Sequence, residues 1–171
     1  MEEGLVDLEQ LGLGSGQARR LDLTMTPGDP TVGGQPYPIE GGEVGARIDV
    51  SRTTSGFAMR LRAEVALDGP CARCLEPARP ELEIDAREVE QGGGEDAEMS
   101  SPYVADAILN AGAWLHDAIT LALPKKVLCR ADCAGLCPEC GVNLNDPSNA
   151  DHRHDAPPDP RFAKLRELQG D

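Results

Sequence analysis

Polar and apolar residues alternate along two segments between Val44 and Leu67. "EVGARIDV" puts Val44, Ala46, Ile48 and Val50 at period two. "GFAMRLRAEVAL" then sets Phe57, Met59, Leu61, Ala63, Val65 and Leu67 on one face, with Arg60, Arg62 and Glu64 on the other. This pattern predicts half-buried antiparallel strands. "RRLDLTMT", Arg19 to Thr26, predicts a first strand and "ELEIDAREV" a later one, so "DGPCARCLEP" falls where a hairpin turns back. Loops are predicted at the Pro/Gly-rich run from Pro27 to Pro38 and at the acidic, Gly-rich run Gln91 to Pro102, the latter mobile.

The period then changes. In "NAGAWLHDAITLALP", Ala111, Leu115, Ala118, Ile119 and Ala122 recur at helical spacing, Asn110 is placed to cap the start, and Pro124 ends the run. A second, shorter helix is predicted in "DPRFAKLRELQG", with Asp159 at the N-cap, Pro160 in the first turn, Gly170 as the stop and a stripe of Phe162, Leu165 and Leu168. The pattern as a whole predicts an α+β protein built on an antiparallel sheet with one central amphipathic helix. A body over residues 1–124 precedes a cysteine- and histidine-bearing element with a terminal helix over residues 125–171.

Composition makes this core a thin one. Aromatic residues are 3% of the 171, with Trp114 the sole tryptophan, while 19 Gly and 14 Pro favour loops. A cross-link or bound metal would help such a core. No apolar run approaches the ~20 residues that span a bilayer. The opening "MEEGLVDLEQ" is acidic and lacks the apolar core of a secretory signal. The chain therefore reads as cytoplasmic, where thiols stay reduced and clustered cysteines point to metal rather than disulfides.

Those cysteines are clustered. "CRADCAGLCPECG", Cys129 to Gly141, holds four of the six, and "HRH" follows at His152 to His154. "CPECG" has the form of a metal knuckle: a C-x-x-C pair bends the chain so that both sulfurs face one point, and Gly141 accepts the positive φ such a turn needs. Cys137, Cys140, His152 and His154 make a tetrahedral zinc set of two thiolates and two imidazoles, against the plainer reading that both histidines are solvated in a polar run. Cys71 and Cys74 form a second C-x-x-C at the hairpin tip, and Cys129 and Cys133 are one helical turn apart. These four make a second, all-thiolate set, against the reading of Cys71 and Cys74 as buried free thiols. A grouping of Cys129, Cys133, Cys137 and Cys140 around one ion is cramped.

Other chemistries fit less well. The spacing Cys133, Cys137, Cys140 matches that of an iron–sulfur site in radical enzymes, but those carry it early in a long barrel. A thioredoxin-like redox pair belongs between a strand and a helix, whereas Cys71 and Cys74 lie between two strands. There is no Gly-rich phosphate loop and no G-x-S-x-G, and His116, on the polar side of the helix, reads as solvated. Neither an enzyme active site nor a small-molecule substrate is indicated.

The order and spacing of "CARCLEP", "ITLALP", "LCRADCAGLCPECGVNLN" and "DPRFAKLREL" resemble the YceD family, the large ribosomal RNA subunit accumulation proteins, from about Val44 onward. The resemblance implies a non-catalytic role in synthesis, processing or stability of 23S ribosomal RNA. Many relatives carry Cys-x-Cys where this chain has His152-Arg153-His154, a swap between two good zinc ligands. Charge refines the expected partners. The formal net charge is -14, with eight acids and one base between Glu81 and Glu98. Such a chain is repelled by naked RNA at long range. Basic ribosomal proteins or large-subunit assembly intermediates are the expected partners, with direct RNA contact confined to a patch of Lys125, Lys126 and Arg130. Clustered thiols leave a zinc- or thiol-based redox sensor as the alternative.

Overall fold

The computed structural model describes residues 4–91 and 100–154. The expected helix over Asp159 to Gly170 lies outside them, as do residues 92–99 of the expected acidic loop. In chain order the first strands are β1 (Leu5–Asp7), β2 (Ala18–Met25), β3 (Thr31–Val32), β4 (Gln35–Pro36), β5 (Val44–Arg52) and β6 (Gly56–Ala66). They are followed by β7 (Gly69–Pro70), β8 (Pro77–Ala78), β9 (Glu81–Gln91), β10 (Val104–Ala105), β11 (Ile108–Asn110) and the helix α1 (Ala111–Ala122).

The main sheet is antiparallel in the order β2-β5-β6-β9, and its central pairs follow from the alternation. Ile48 lies opposite Leu61, which in turn lies opposite Ala86. Val44, Ala46, Ile48, Val50, Phe57, Met59, Leu61, Ala63 and Val65 are all buried. The other face carries a ladder of exposed ion pairs. Arg20 reaches Asp49 at 2.9 Å, Arg47 reaches Asp22 at 3.0 Å and Arg60 reaches Asp85 at 2.6 Å, with Arg62 also on Asp49. The Arg20 and Arg60 guanidiniums hold Asp49 and Asp85 below the usual carboxylate range. Exposed pairs add little stability each. They do fit one register, and a slip by one residue would turn the whole apolar face outward.

The helix lies against β9 and β1. Asn110 Oδ1 accepts from Ala113 N at 3.0 Å, the cap the sequence predicts. The buried stripe is Ala111, Trp114, Leu115 and Ile119. It is rotated from the expected one: Ala118 is half-buried and Ala122 exposed, because the large Trp114 side chain takes the place facing the core. Trp114 is 2% exposed and packs near Tyr103, with ring centroids 6.3 Å apart. His116 also departs from expectation. It is half-buried, with Nδ1 at 2.8 Å from the Pro27 carbonyl, and ties the helix to the loop after β2.

β1 adds to β11, whose other side pairs with β10, forming a small separate sheet that leads into α1. β7 and β8 are the short arms of the hairpin that holds Cys71 and Cys74. After Leu123 the chain runs back past that hairpin, where Ala72 N donates to Val127 O at 2.7 Å. This return brings the cysteines together.

Candidate metal centres

The two C-x-x-C segments fold alike. In the first, Leu75 N donates to Cys71 O at 3.0 Å, and Cys71 N donates to Glu76 O at 2.8 Å. In the second, Gly141 N donates to Cys137 O at 2.8 Å, and Cys137 N donates to Val142 O at 2.8 Å. The flanking pairs also match: Pro70 lies opposite Pro77, and Leu136 opposite Asn143. In both, the residue after the second cysteine has positive φ, 64° at Leu75 and 74° at Gly141. Each turn aims two sulfurs at one point.

The sulfurs meet partners from elsewhere in the chain. Cys71 Sγ lies 3.7 Å from Cys133 Sγ, and Cys74 Sγ lies 3.6 Å from Cys129 Sγ. A zinc–sulfur bond of about 2.3 Å implies a tetrahedral edge of about 3.8 Å, so these spacings suit one ion. Around the second knuckle, Cys140 Sγ is 3.3 Å from Nε2 of both His152 and His154, and the two Nε2 atoms are 2.9 Å apart. The corresponding tetrahedral edges are about 3.6 and 3.3 Å. The facing atoms are the right ones, a few tenths of an ångström closer than an ion would hold them. Within each set the donor atoms all lie within 4.8 Å of one another.

The structure thus gathers Cys137, Cys140, His152 and His154 in one place and Cys71, Cys74, Cys129 and Cys133 in another. It does not gather Cys129, Cys133, Cys137 and Cys140. Cys129 and Cys133 converge through a turn in which Cys133 N donates to Arg130 O at 3.2 Å, rather than through a continuing helix. The quartet staples the hairpin before β9 to the segment after α1, and Cys71, Cys74 and Cys133 are buried. In the other set Cys137 is buried and Cys140 exposed, and all four candidate donors come from the C-terminal element.

Ionisation is divided unevenly among the thiols. Burial pushes Cys71 up, but the amides of Arg73 and Cys74 outweigh it and bring it down to about 6. Burial and the neighbouring thiols push Cys129 up to about 12, and burial raises Cys74 as well. Like charges in one small volume oppose one another, and a dication at the centre would favour the thiolate form of all four. Cys137 is brought down to about 6, chiefly by the amides of Cys140 and Glu139. Both knuckles therefore hold one thiolate ready for a cation.

Sequence reasoning passed over the supporting residues. Glu139 Oε2 lies 3.3 Å from His154 Nδ1, so the carboxylate backs the imidazole whose Nε2 faces Cys140. Arg73 Nη1 donates to Cys133 O at 2.7 Å, and Leu136 N donates to Arg73 O at 3.1 Å, which stitches one knuckle to the other. Gly135, at φ 83°, lies against Arg73, where an added Cβ would meet the Arg73 carbonyl at 3.1 Å.

Fold and donor sets define a small antiparallel-sheet protein with two metal-type cysteine knuckles, one on a hairpin and one in the C-terminal element. Residues 59–169 match the family described as "Large ribosomal RNA subunit accumulation protein YceD", and the chain belongs to that family. It is 39% identical over 107 residues to an uncharacterized protein of Mycobacterium tuberculosis, covering 60% of this chain and 50% of that one. It is 26% identical over 181 residues to the maize "Large ribosomal RNA subunit accumulation protein YCED homolog 1, chloroplastic", covering 83% of this chain and 60% of that one. The chain spans about half the length of the Mycobacterium tuberculosis relative it matches. No solved structure matches it. Among the described residues, no helix is long and apolar enough to cross a membrane.

Proposed function

We propose that this protein is a cytoplasmic, non-catalytic factor in large ribosomal subunit biogenesis that supports synthesis, processing or stability of 23S ribosomal RNA. Membership of a family described as "Large ribosomal RNA subunit accumulation protein YceD" carries the reading. In this reading Cys137, Cys140, His152 and His154 hold one structural Zn2+, and Cys71, Cys74, Cys129 and Cys133 hold a second. Bound zinc supplies folding energy, because the ligands are brought together only in the folded chain. The protein's own residues aim the sulfurs and imidazoles, back them with hydrogen bonds and bury Cys71, Cys74 and Cys133.

Charge guides the choice of partner. With a net charge of -14, the protein finds basic ribosomal proteins or large-subunit assembly intermediates more readily than naked RNA. Among the described acids of β9, Glu81 and Glu83 lie exposed on the outer face, the natural meeting point for such a basic partner. Lys125, Lys126 and Arg130 are the exposed patch through which any direct RNA contact runs.

The test is a deletion strain complemented with wild type or with Cys137→Ser/Cys140→Ser. Deletion should lower 23S relative to 16S ribosomal RNA and reduce free large subunits on a gradient. Wild type should restore both and the double mutant should not. Normal large subunits in the deletion strain would remove the ribosome reading. Zinc released by mild oxidant, with regulation following the thiols, would favour the redox-sensor alternative.

A further inference from the structure

Asn145 uses all of its side-chain amide between the two donor sets. Its Nδ2 donates to Cys133 Sγ at 3.5 Å and to Asn143 Oδ1 at 2.9 Å. Its Oδ1 accepts from Ala134 N at 2.8 Å and from Arg130 Nη2 at 2.9 Å. Cys133 belongs to the all-thiolate quartet. Asn143 lies opposite Leu136, the residue before Cys137, so it belongs to the base of the other knuckle. The strap between them is held from both sides: Leu144 N donates to Gly135 O at 2.9 Å, and Asn149 Nδ2 donates to Asn143 O at 2.9 Å. The chain then continues directly to His152 and His154.

We propose that Asn145 couples the two metal centres, so that an ion bound by Cys137, Cys140, His152 and His154 strengthens binding at Cys71, Cys74, Cys129 and Cys133, and the reverse. The proposal rests on the reading of both sets as metal sites. Four thiolates around a dication carry surplus negative charge, and an N–H donor aimed at one sulfur offsets part of it. That donor is only as well placed as the strap that carries it. Closing the second centre draws His152 and His154 onto the knuckle and fixes both ends of the strap, which orders Asn145 before the quartet is filled. Asn145 is a positioning residue, and linkage makes the effect reciprocal.

A double-mutant cycle on the full-length chain tests this. Co2+ affinity of the quartet is read from its thiolate charge-transfer band, by competition with a chelator, in wild type, Cys137→Ser/Cys140→Ser, Asn145→Ala and the combination. Emptying the second centre should weaken the quartet by roughly tenfold while Asn145 is present. The same change should do little in the Asn145→Ala background. If Asn145→Ala does not fold, Asn145→Asp serves in its place, because it keeps the acceptor for Ala134 N and Arg130 while losing the donor to sulfur. Equal losses in both backgrounds, with two ions bound, overturn the coupling and leave the metal reading standing. Absence of Co2+ binding in wild type overturns both.

Discussion

Replacing Gly141 with alanine tests the second knuckle where its backbone has least choice. Gly141 has φ 74°, and a Cβ added there meets nothing within 4 Å. The substitution therefore brings no clash, and its cost is confined to the backbone. Left-handed geometry costs an L-residue about 1–2 kcal/mol, offset in part by about 0.4–1 kcal/mol from the stiffer unfolded chain. The net is about 1 kcal/mol. Gly141 N and Cys137 N make the two 2.8 Å bonds that close the turn, so the strain falls on the geometry that presents the sulfurs. Zinc affinity, read by competition with a chromophoric chelator, should fall about fivefold, since 1.4 kcal/mol is tenfold. Gly141→Asn should fall less, because asparagine tolerates this region. The first knuckle supplies an internal comparison. Leu75 holds the matching position at φ 64° and is 67% exposed, so Leu75→Gly should relieve strain and leave the quartet's affinity undiminished. Wild-type affinity in Gly141→Ala, at unchanged fold, would refute the claim that the turn's backbone sets the site.

Removing the carboxylate behind His154 with Glu139→Gln should weaken zinc binding at that centre by roughly tenfold, the lower end for an outer-shell partner, measured by the same competition. Ala at both His152 and His154 should weaken it sharply, whereas Cys at both should retain it, read as zinc per chain after dialysis. Trp114→Ala should destabilise the fold by about 3–5 kcal/mol in chemical denaturation, since the side chain is 2% exposed and fills the helix–sheet interface. In metal-free protein the Cys137 thiol is lowered to about 6, so ultraviolet thiolate absorbance that Cys137→Ser removes should appear as pH rises through that value, whereas Cys129, raised to about 12, should stay protonated at neutral pH despite its exposure. The same depressed pKa should make folding of the metal-free chain more favourable above the thiol's ordinary range, and that contribution should be lost as pH falls through about 6.

How much was legible in the sequence follows the range of the forces involved. The strands at Val44–Arg52 and Gly56–Ala66 were readable because period two is a local property, and one buried face admits one register. The cap at Asn110 and the positive φ at Gly141 were readable for the same reason, each being decided within a few residues. The helix stripe was readable only to within a rotation, because Trp114 finds its place by packing against distant side chains. Donor identity lay in the sequence too, as four close cysteines and a His-x-His, but not the division of those donors. Spacing alone allowed Cys129 and Cys133 to join either Cys71 and Cys74 or Cys137 and Cys140. Only tertiary structure decides between them, because the return of the chain after Leu123 lays Val127 beside Ala72 and carries Cys129 and Cys133 to the hairpin tip. The bonds made by Glu139 and Asn145 were equally invisible: they join side chains whose meeting depends on where two turns come to rest in space.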